Sequence, residues 1–174
     1  MDSKSTLSIG SIVGLCAIVL VLWFCFNAMG NNSKLQTGIN YLQTGKTSLD
    51  YHQLARLDAQ QNGISADLFE KQINQESGFN PNAVSPAGAV GIAQFMPSTA
   101  QGLGINPYDA VQSLSGAASL MARYYTKYQG YDKALAAYNA GTDTLNTAIA
   151  NCGVNWRACV PSETDRYIRA IVGY

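Results

Sequence analysis

Charge is scarce in this chain. Only 13% of its 174 residues are Asp, Glu, Lys or Arg, and the formal net charge is zero. The basic side chains do not cluster, so the electrostatic footprint of a nucleic-acid binder is missing and no nucleic-acid partner is expected. Histidine is all but absent. His52 stands alone, without a second His or Cys near it in sequence to complete a metal set, and it reads as a surface or half-buried side chain, with no metal and no cofactor implied. Strand-like alternation of apolar and polar residues is also wanting, which leaves helices to build the fold. Cysteine is sparse, with four in all: Cys16, Cys25, Cys152 and Cys159.

One long hydrophobic run stands out against this. From Ile9 to Met29 the sequence IGSIVGLCAIVLVLWFCFNAM carries no charge. About twenty residues at ~1.5 Å each match a hydrocarbon core of ~30 Å. A cleaved signal peptide is the competing reading, but its apolar part is usually shorter and ends in small residues. Here the run ends in Trp23, Phe24 and Phe26, residues at home at a membrane interface. A retained anchor is therefore expected, with Cys16 and Cys25 as unpaired thiols inside it. Lys4 and Lys34 lie on opposite sides of the run, so charge fixes its orientation only weakly. The next stretch, GNNSKLQTGINYLQTGKTS, is polar and reads as a flexible linker; its two LQTG copies are too few for a repeat architecture. The expected layout is a tail and transmembrane anchor over 1–29, a linker over 30–47, and a domain over 48–174.

That domain reads as all-α. Tyr51, Leu54, Ala55 and Leu57 mark a first helix, stopped at Asn62–Gly63. Ser65 is placed to cap a second, with Asp67 in its first turn. Ala117, Leu120, Met121, Tyr124 and Tyr128 recur at three- and four-residue steps until Gly130. YDKALAAYNAG is a further helix closed by Gly141. The last begins at Pro161 with a box-like Ser162 and Asp165 pair and stops at Gly173. The tyrosines of RYYTKYQGY could stack on sugars, but their helical spacing favours ordinary packing.

The second helix raises the chemical question. Leu68, Phe69 and Ile73 form its apolar stripe, and Glu76 lies three residues after Ile73 and seven after Phe69, on the same face. Glu70 and Lys71 point elsewhere and read as solvated charges. An acid on the core side of a helix is costly unless hydrogen-bonded, paired or protonated, and no Arg or Lys lies near it in sequence. Either the last turn splays Glu76 into water, or Glu76 is a partly desolvated carboxyl with a raised pKa. The second is what a general acid for glycosidic bond cleavage requires. After it the chain stays uncharged until Asp109. Gly78, Pro81, Pro86, Gly88 and Gly91 permit tight turns, while Asn80, Asn82, Ser85 and Gln94 offer neutral donors and acceptors. Such a loop suits the groove of a neutral, hydroxyl-rich polymer.

QESGFNPNAVSPAGAVGIAQFMPSTA, then ALAAYNAG, then ETDRYIRAI together resemble the soluble lytic transglycosylase domain, related in fold to goose-type lysozyme. Glu76-Ser77 is similar to the Glu-Ser dipeptide of that family, Gly91-Ile92-Ala93-Gln94 to its Gly-Leu-Met-Gln motif, and Ala137-Tyr138-Asn139 to its Ala-Tyr-Asn motif. The resemblance covers about residues 48–174 and implies a lysozyme-like helical domain. The activity it implies is cleavage of the β-1,4 bond between N-acetylmuramic acid and N-acetylglucosamine in peptidoglycan, without a cofactor. It implies Glu76 as sole catalytic acid and base, with Ser77, Ser85, Gln94, Met96, Tyr138 and Asn139 around the sugar, and Tyr167 near the acid. Ala93 stands where the family usually has Met, which changes the shape of the adjacent subsite.

Three functions remain open on the sequence: a membrane-tethered lytic transglycosylase, a hydrolase on the same scaffold, and a non-catalytic peptidoglycan-binding assembly protein. The hydrolase needs a second carboxylate in the cleft, from Asp109, Asp132, Asp143, Glu163 or Asp165. The expected partners are peptidoglycan strands, a membrane through residues 9–29, and cell-envelope or virion components. On the wall side of a membrane thiols oxidise, so Cys152 and Cys159, flanking GVNWRA, are expected to form a disulfide, against the alternative of two buried free thiols.

Overall fold

Asp50 caps the first described helix: its carboxylate accepts hydrogen bonds from the N–H groups of His52 and Gln53, at 3.1 and 3.3 Å. That cap starts α1 (Tyr51–Gln61). The computed structural model describes residues 50–174. The expected anchor at 9–29, its thiols Cys16 and Cys25, and the linker lie outside the described residues. Among those described, no helix is long and apolar enough to cross a membrane.

α2 (Ala66–Ser77) follows, capped by the Ser65 hydroxyl, which accepts from the Leu68 N–H at 3.3 Å. It stops at Gly78, whose φ of +61° a side chain would disfavour. A loop leads to the short α3 (Pro97–Leu103), which the apolar pattern is too brief to announce. α4 (Ala110–Tyr128) starts earlier than the periodicity alone suggests, because the Asp109 carboxylate caps Val111 and Gln112. α5 (Tyr131–Ala140), α6 (Thr142–Cys152), a 3-10 segment (Gly153–Cys159) and α7 (Ser162–Val172) complete the described chain. Among the described residues, extended pairing is limited to isolated bridges of Val90 with Val84 and Phe95.

Two local expectations are corrected. Glu70 is not a plain solvated charge: it is half-buried and bonded to Arg56 Nη1 at 2.7 Å and His52 Nδ1 at 3.0 Å. Those partners hold its carboxyl below the usual range, with Arg56 the larger influence. His52 also stacks on Phe79, ring centroids 3.7 Å apart, so it closes the α1–α2 junction. Second, Ser162 and Asp165 do not form a capping box. Asp165 instead bonds Arg169 Nε at 2.8 Å and Arg157 Nε at 3.0 Å, because cations stronger than a backbone amide lie within reach.

The core gathers around α5. Its Ala134, Leu135, Ala136 and Ala137 are all buried, and it packs against α4, α6 and α7. Small alanines let those helices approach closely. α2 contributes Phe69 and Ile73, α4 Leu114 and Met121, and α7 Ile168 and Ile171. Each such side chain contributes about 1.5–3 kcal/mol on burial. α2 also packs against α1 and α7, so the helix that carries Glu76 is held between the first and last of the described helices.

Candidate active site

Glu76 sits one residue before the end of α2, where a left-handed glycine terminates the helix. Its carboxyl does not splay into water. It accepts a hydrogen bond from the hydroxyl of Tyr167 on α7, 91 residues later in the chain. Burial pushes the Glu76 carboxyl up from 4.5 to about 7, while the Tyr167 hydrogen bond pulls the other way. Desolvation wins because no cation faces the acid among its recorded interactions, only a neutral hydroxyl. Glu76 is therefore about half protonated at neutral pH, so it can give up its proton and take one back at little cost. Burial and the neighbouring Glu76 raise the Tyr167 and Tyr138 phenols well above their ordinary value, which keeps both as neutral hydroxyls.

Glu76 opens into a cavity of about 700 Å³. The loop between α2 and α3 supplies Ser85, Gln94 and Met96; α4 supplies Leu120 and Tyr124; α5 supplies Tyr138 and Asn139; α7 supplies Glu163, Arg166 and Tyr167. The wall is rigid for reasons visible in its bonding. The Ser77 hydroxyl donates to the Ile92 carbonyl at 2.6 Å, and the Tyr138 hydroxyl to the Ala93 carbonyl at 2.8 Å. Between these two ties, the Gln94 amide nitrogen bonds the carbonyls of Gly91 (2.9 Å) and Ala83 (3.3 Å). Gln94 takes φ of +50°, strained for a side chain and held by those bonds. At Gly91 an added Cβ would lie 2.0 Å from the Pro107 carbonyl oxygen, with φ at +78°. Only glycine fits.

Of the residues singled out in the sequence, Glu76, Ser85, Gln94, Met96, Tyr138, Asn139 and Tyr167 come together around this cavity. Ser77 does not line it; its hydroxyl holds the loop. Ser85 also bonds within the loop, its Oγ accepting from the Ala89 N–H at 3.0 Å. Asn80 and Asn82 are absent from the wall, and the Asn80 side chain accepts from the Asn82 N–H at 2.9 Å instead. Asn139 Oδ1 accepts from the buried Thr164 hydroxyl at 2.8 Å, tying the end of α5 to α7. Of the five acids weighed as a second carboxylate, Glu163 alone lines the cavity.

Tyr124, Thr99, Gln75 and Arg166 also line it without having been singled out for it. Tyr124 was inside the tyrosine run read as packing, and the structure gives it both roles: it packs against the core and faces the cavity. Cys152 and Cys159 are joined by a disulfide across the 3-10 segment. That segment carries the buried Trp156 and the Arg157 that holds Asp165 on α7. Among the described residues no three His, Cys, Asp or Glu side chains are placed to hold a metal ion.

The geometry has counterparts. A family model described as the transglycosylase SLT domain matches residues 53–155. The transglycosylase of Enterobacteria phage PRD1 is 40% identical over 87 residues, covering 49% of this chain and 33% of that one. The membrane-bound lytic murein transglycosylase D of Escherichia coli is 34% identical over 107 residues, 53% of this chain and 24% of that one. Among crystal structures, the 70 kDa soluble lytic transglycosylase of Escherichia coli aligns with a TM-score of 0.63 at 26% identity, over 71% of this chain and 23% of that one. The chain thus spans a third or less of the length of these relatives. The matched model covers more than half of the sequence, and the chain belongs to the transglycosylase SLT-domain family.

Proposed function

We propose that this chain is a membrane-anchored lytic transglycosylase that cleaves peptidoglycan between N-acetylmuramic acid and N-acetylglucosamine and leaves a 1,6-anhydro muramic acid end. The observation that carries the reading is Glu76: a carboxyl kept about half protonated near neutral pH by burial, beside one hydroxyl, at a cavity walled mostly by neutral groups. Glu76 donates its proton to the glycosidic oxygen as the bond to the muramic acid C1 breaks. The substrate's own N-acetyl carbonyl stabilises the oxocarbenium-like charge, so no protein nucleophile is needed. Glu76, now a carboxylate, takes the proton from the C6 hydroxyl, and that oxygen closes onto C1. The proton count balances with no water consumed.

Tyr167 orients the acid and steadies its charged form. Ser85, Gln94, Met96, Tyr138 and Asn139 shape the sugar sites, and we assign Ser77 to holding the loop. Residues 9–29 would anchor the chain with residues 30–174 on the peptidoglycan side, since only that side holds the substrate. Relatives named as membrane-bound and as belonging to a phage are compatible with such a tether, with cell-envelope or virion partners to match.

A second reading draws on Glu163, which could activate a water and make the enzyme a hydrolase. Mass spectrometry of muropeptides released by the full-length protein separates the two. Products one water lighter than hydrolysis would give support the transglycosylase, and reducing ends would assign the reaction to hydrolysis. No release by folded protein would leave a peptidoglycan-binding protein.

A further inference from the structure

A neutral glycan asks for neutral partners, yet two charged side chains stand in the cavity wall. Glu163 and Arg166 occupy the same face of α7, one turn apart, and both are exposed. Neither belongs to the acid–base step: Glu76 is bonded to Tyr167, and neither charge influences its carboxyl. The arginines of this region are used differently. Arg157 and Arg169 are both engaged with Asp165. Arg166 meets no carboxylate of the described residues within ion-pairing distance. Its one recorded contact is a long one, Nη1 to the Ser162 hydroxyl at 3.5 Å. A guanidinium with free donors, fixed on a helix at the rim of a substrate cavity, is shaped to take a carboxylate through two parallel hydrogen bonds.

The sugars of peptidoglycan offer no such group, but the peptide stems carried on the lactyl group of muramic acid do. Resting on the reaction proposed above, we propose that Arg166 is a specificity-determining residue that binds a stem-peptide carboxylate, so that α7 distinguishes strands whose stems carry free carboxylates from strands whose stems are amidated. Glu163, one turn away, keeps the local charge near zero. Contact with a stem, rather than long-range attraction to any polyanion, then decides binding. The same carboxylate repels stems that present only acidic groups and suits stems that also carry an amine.

The test separates binding from turnover. Full-length protein carrying Glu76→Gln is pelleted with purified insoluble sacculi at low and moderate salt, with and without Arg166→Gln. The comparison is repeated on sacculi whose stem carboxylates have been converted to neutral amides, which keeps the cross-links and so the insolubility. Arg166→Gln should weaken binding to untreated sacculi about fivefold, the scale of a partly exposed ion pair, and leave binding to the amidated sacculi unchanged. Arg166→Lys should recover part of the loss. Lys71→Gln removes one exposed positive charge away from the cavity and should have no effect. Equal binding by the Arg166→Gln protein on untreated sacculi overturns the proposal. So does a loss that persists on amidated sacculi, or one that Lys71→Gln reproduces. Failure of the cleavage reading shows separately, as absence of released anhydro-muropeptides from the same sacculi with wild-type protein.

Discussion

At the residue scale the molecule turns on one proton. The native Glu76 holds it up to about pH 7, whereas an unfolded glutamate releases it near 4.5. Two outcomes follow from that difference. In the proposed reaction the acid form acts first, so kcat/KM should fall as pH rises through about 7, and Glu76→Gln should reduce turnover by about 10²–10⁴-fold. The folded state also binds more protons than the unfolded one between pH 4.5 and 7, so stability declines as pH rises across that window. Glu76→Gln removes the buried charge, and urea denaturation should find the variant more stable than wild type at pH 8, by on the order of 3 kcal/mol, with no gain at pH 4. A variant no more stable at pH 8 would mean that the carboxylate is well solvated in the native protein. Tyr167→Phe acts in the opposite sense on the titration. It deletes the one hydrogen bond that lowers the Glu76 pKa, so the alkaline limb of the rate profile should move to higher pH while the maximal rate drops about tenfold or more.

At the element scale the decisive piece is the loop between α2 and α3. Its ladder of internal bonds leaves no slack at Gly91, where a Cβ would meet backbone rather than a movable side chain. Gly91→Ala should cost about 3 kcal/mol or more in chemical denaturation, from the clash and from the positive φ together. A cost under 1 kcal/mol would show that Pro107 can retreat. The helices were largely legible in the sequence, because α2, α4 and α7 each bury one stripe and the 3.6-residue period records it. Glu76 was legible for the same reason: it breaks that stripe. What residue type and period could not give was which side chains meet across the chain; the meeting of Tyr167 with Glu76 was available only through the family resemblance. Glu70 looked solvated because its partners, Arg56 and His52, lie on another helix. Asn80 and Asn82 looked like ligands because nothing in their residue type says whether an amide faces a cavity or its own turn. α3 is too short for a period, and Tyr124 shows that helical spacing cannot separate a packed tyrosine from one that also meets a substrate.

At the scale of the whole molecule, two covalent or physical restraints can be tested. The Cys152–Cys159 bridge closes the segment that carries Trp156 and Arg157. Replacing both cysteines by serine should cost at most about 2.5 kcal/mol, because the closed loop is short. Full-length protein in a cell-envelope preparation should resist carbonate extraction through residues 9–29. Its recovery in soluble form with an N-terminus beyond Met29 would make that segment a removed leader. A different consequence lies in the 91 residues separating Glu76 from Tyr167. The acid is made before its partner, and one wall of the cavity belongs to α7, the last described helix. A nascent chain halted anywhere before α7 therefore carries the acid without the hydroxyl that orients it and without the closure of its cavity. Such a chain has no assembled site. The site stays unassembled until α7 has left the ribosome, a matter of timing set by the order of the chain.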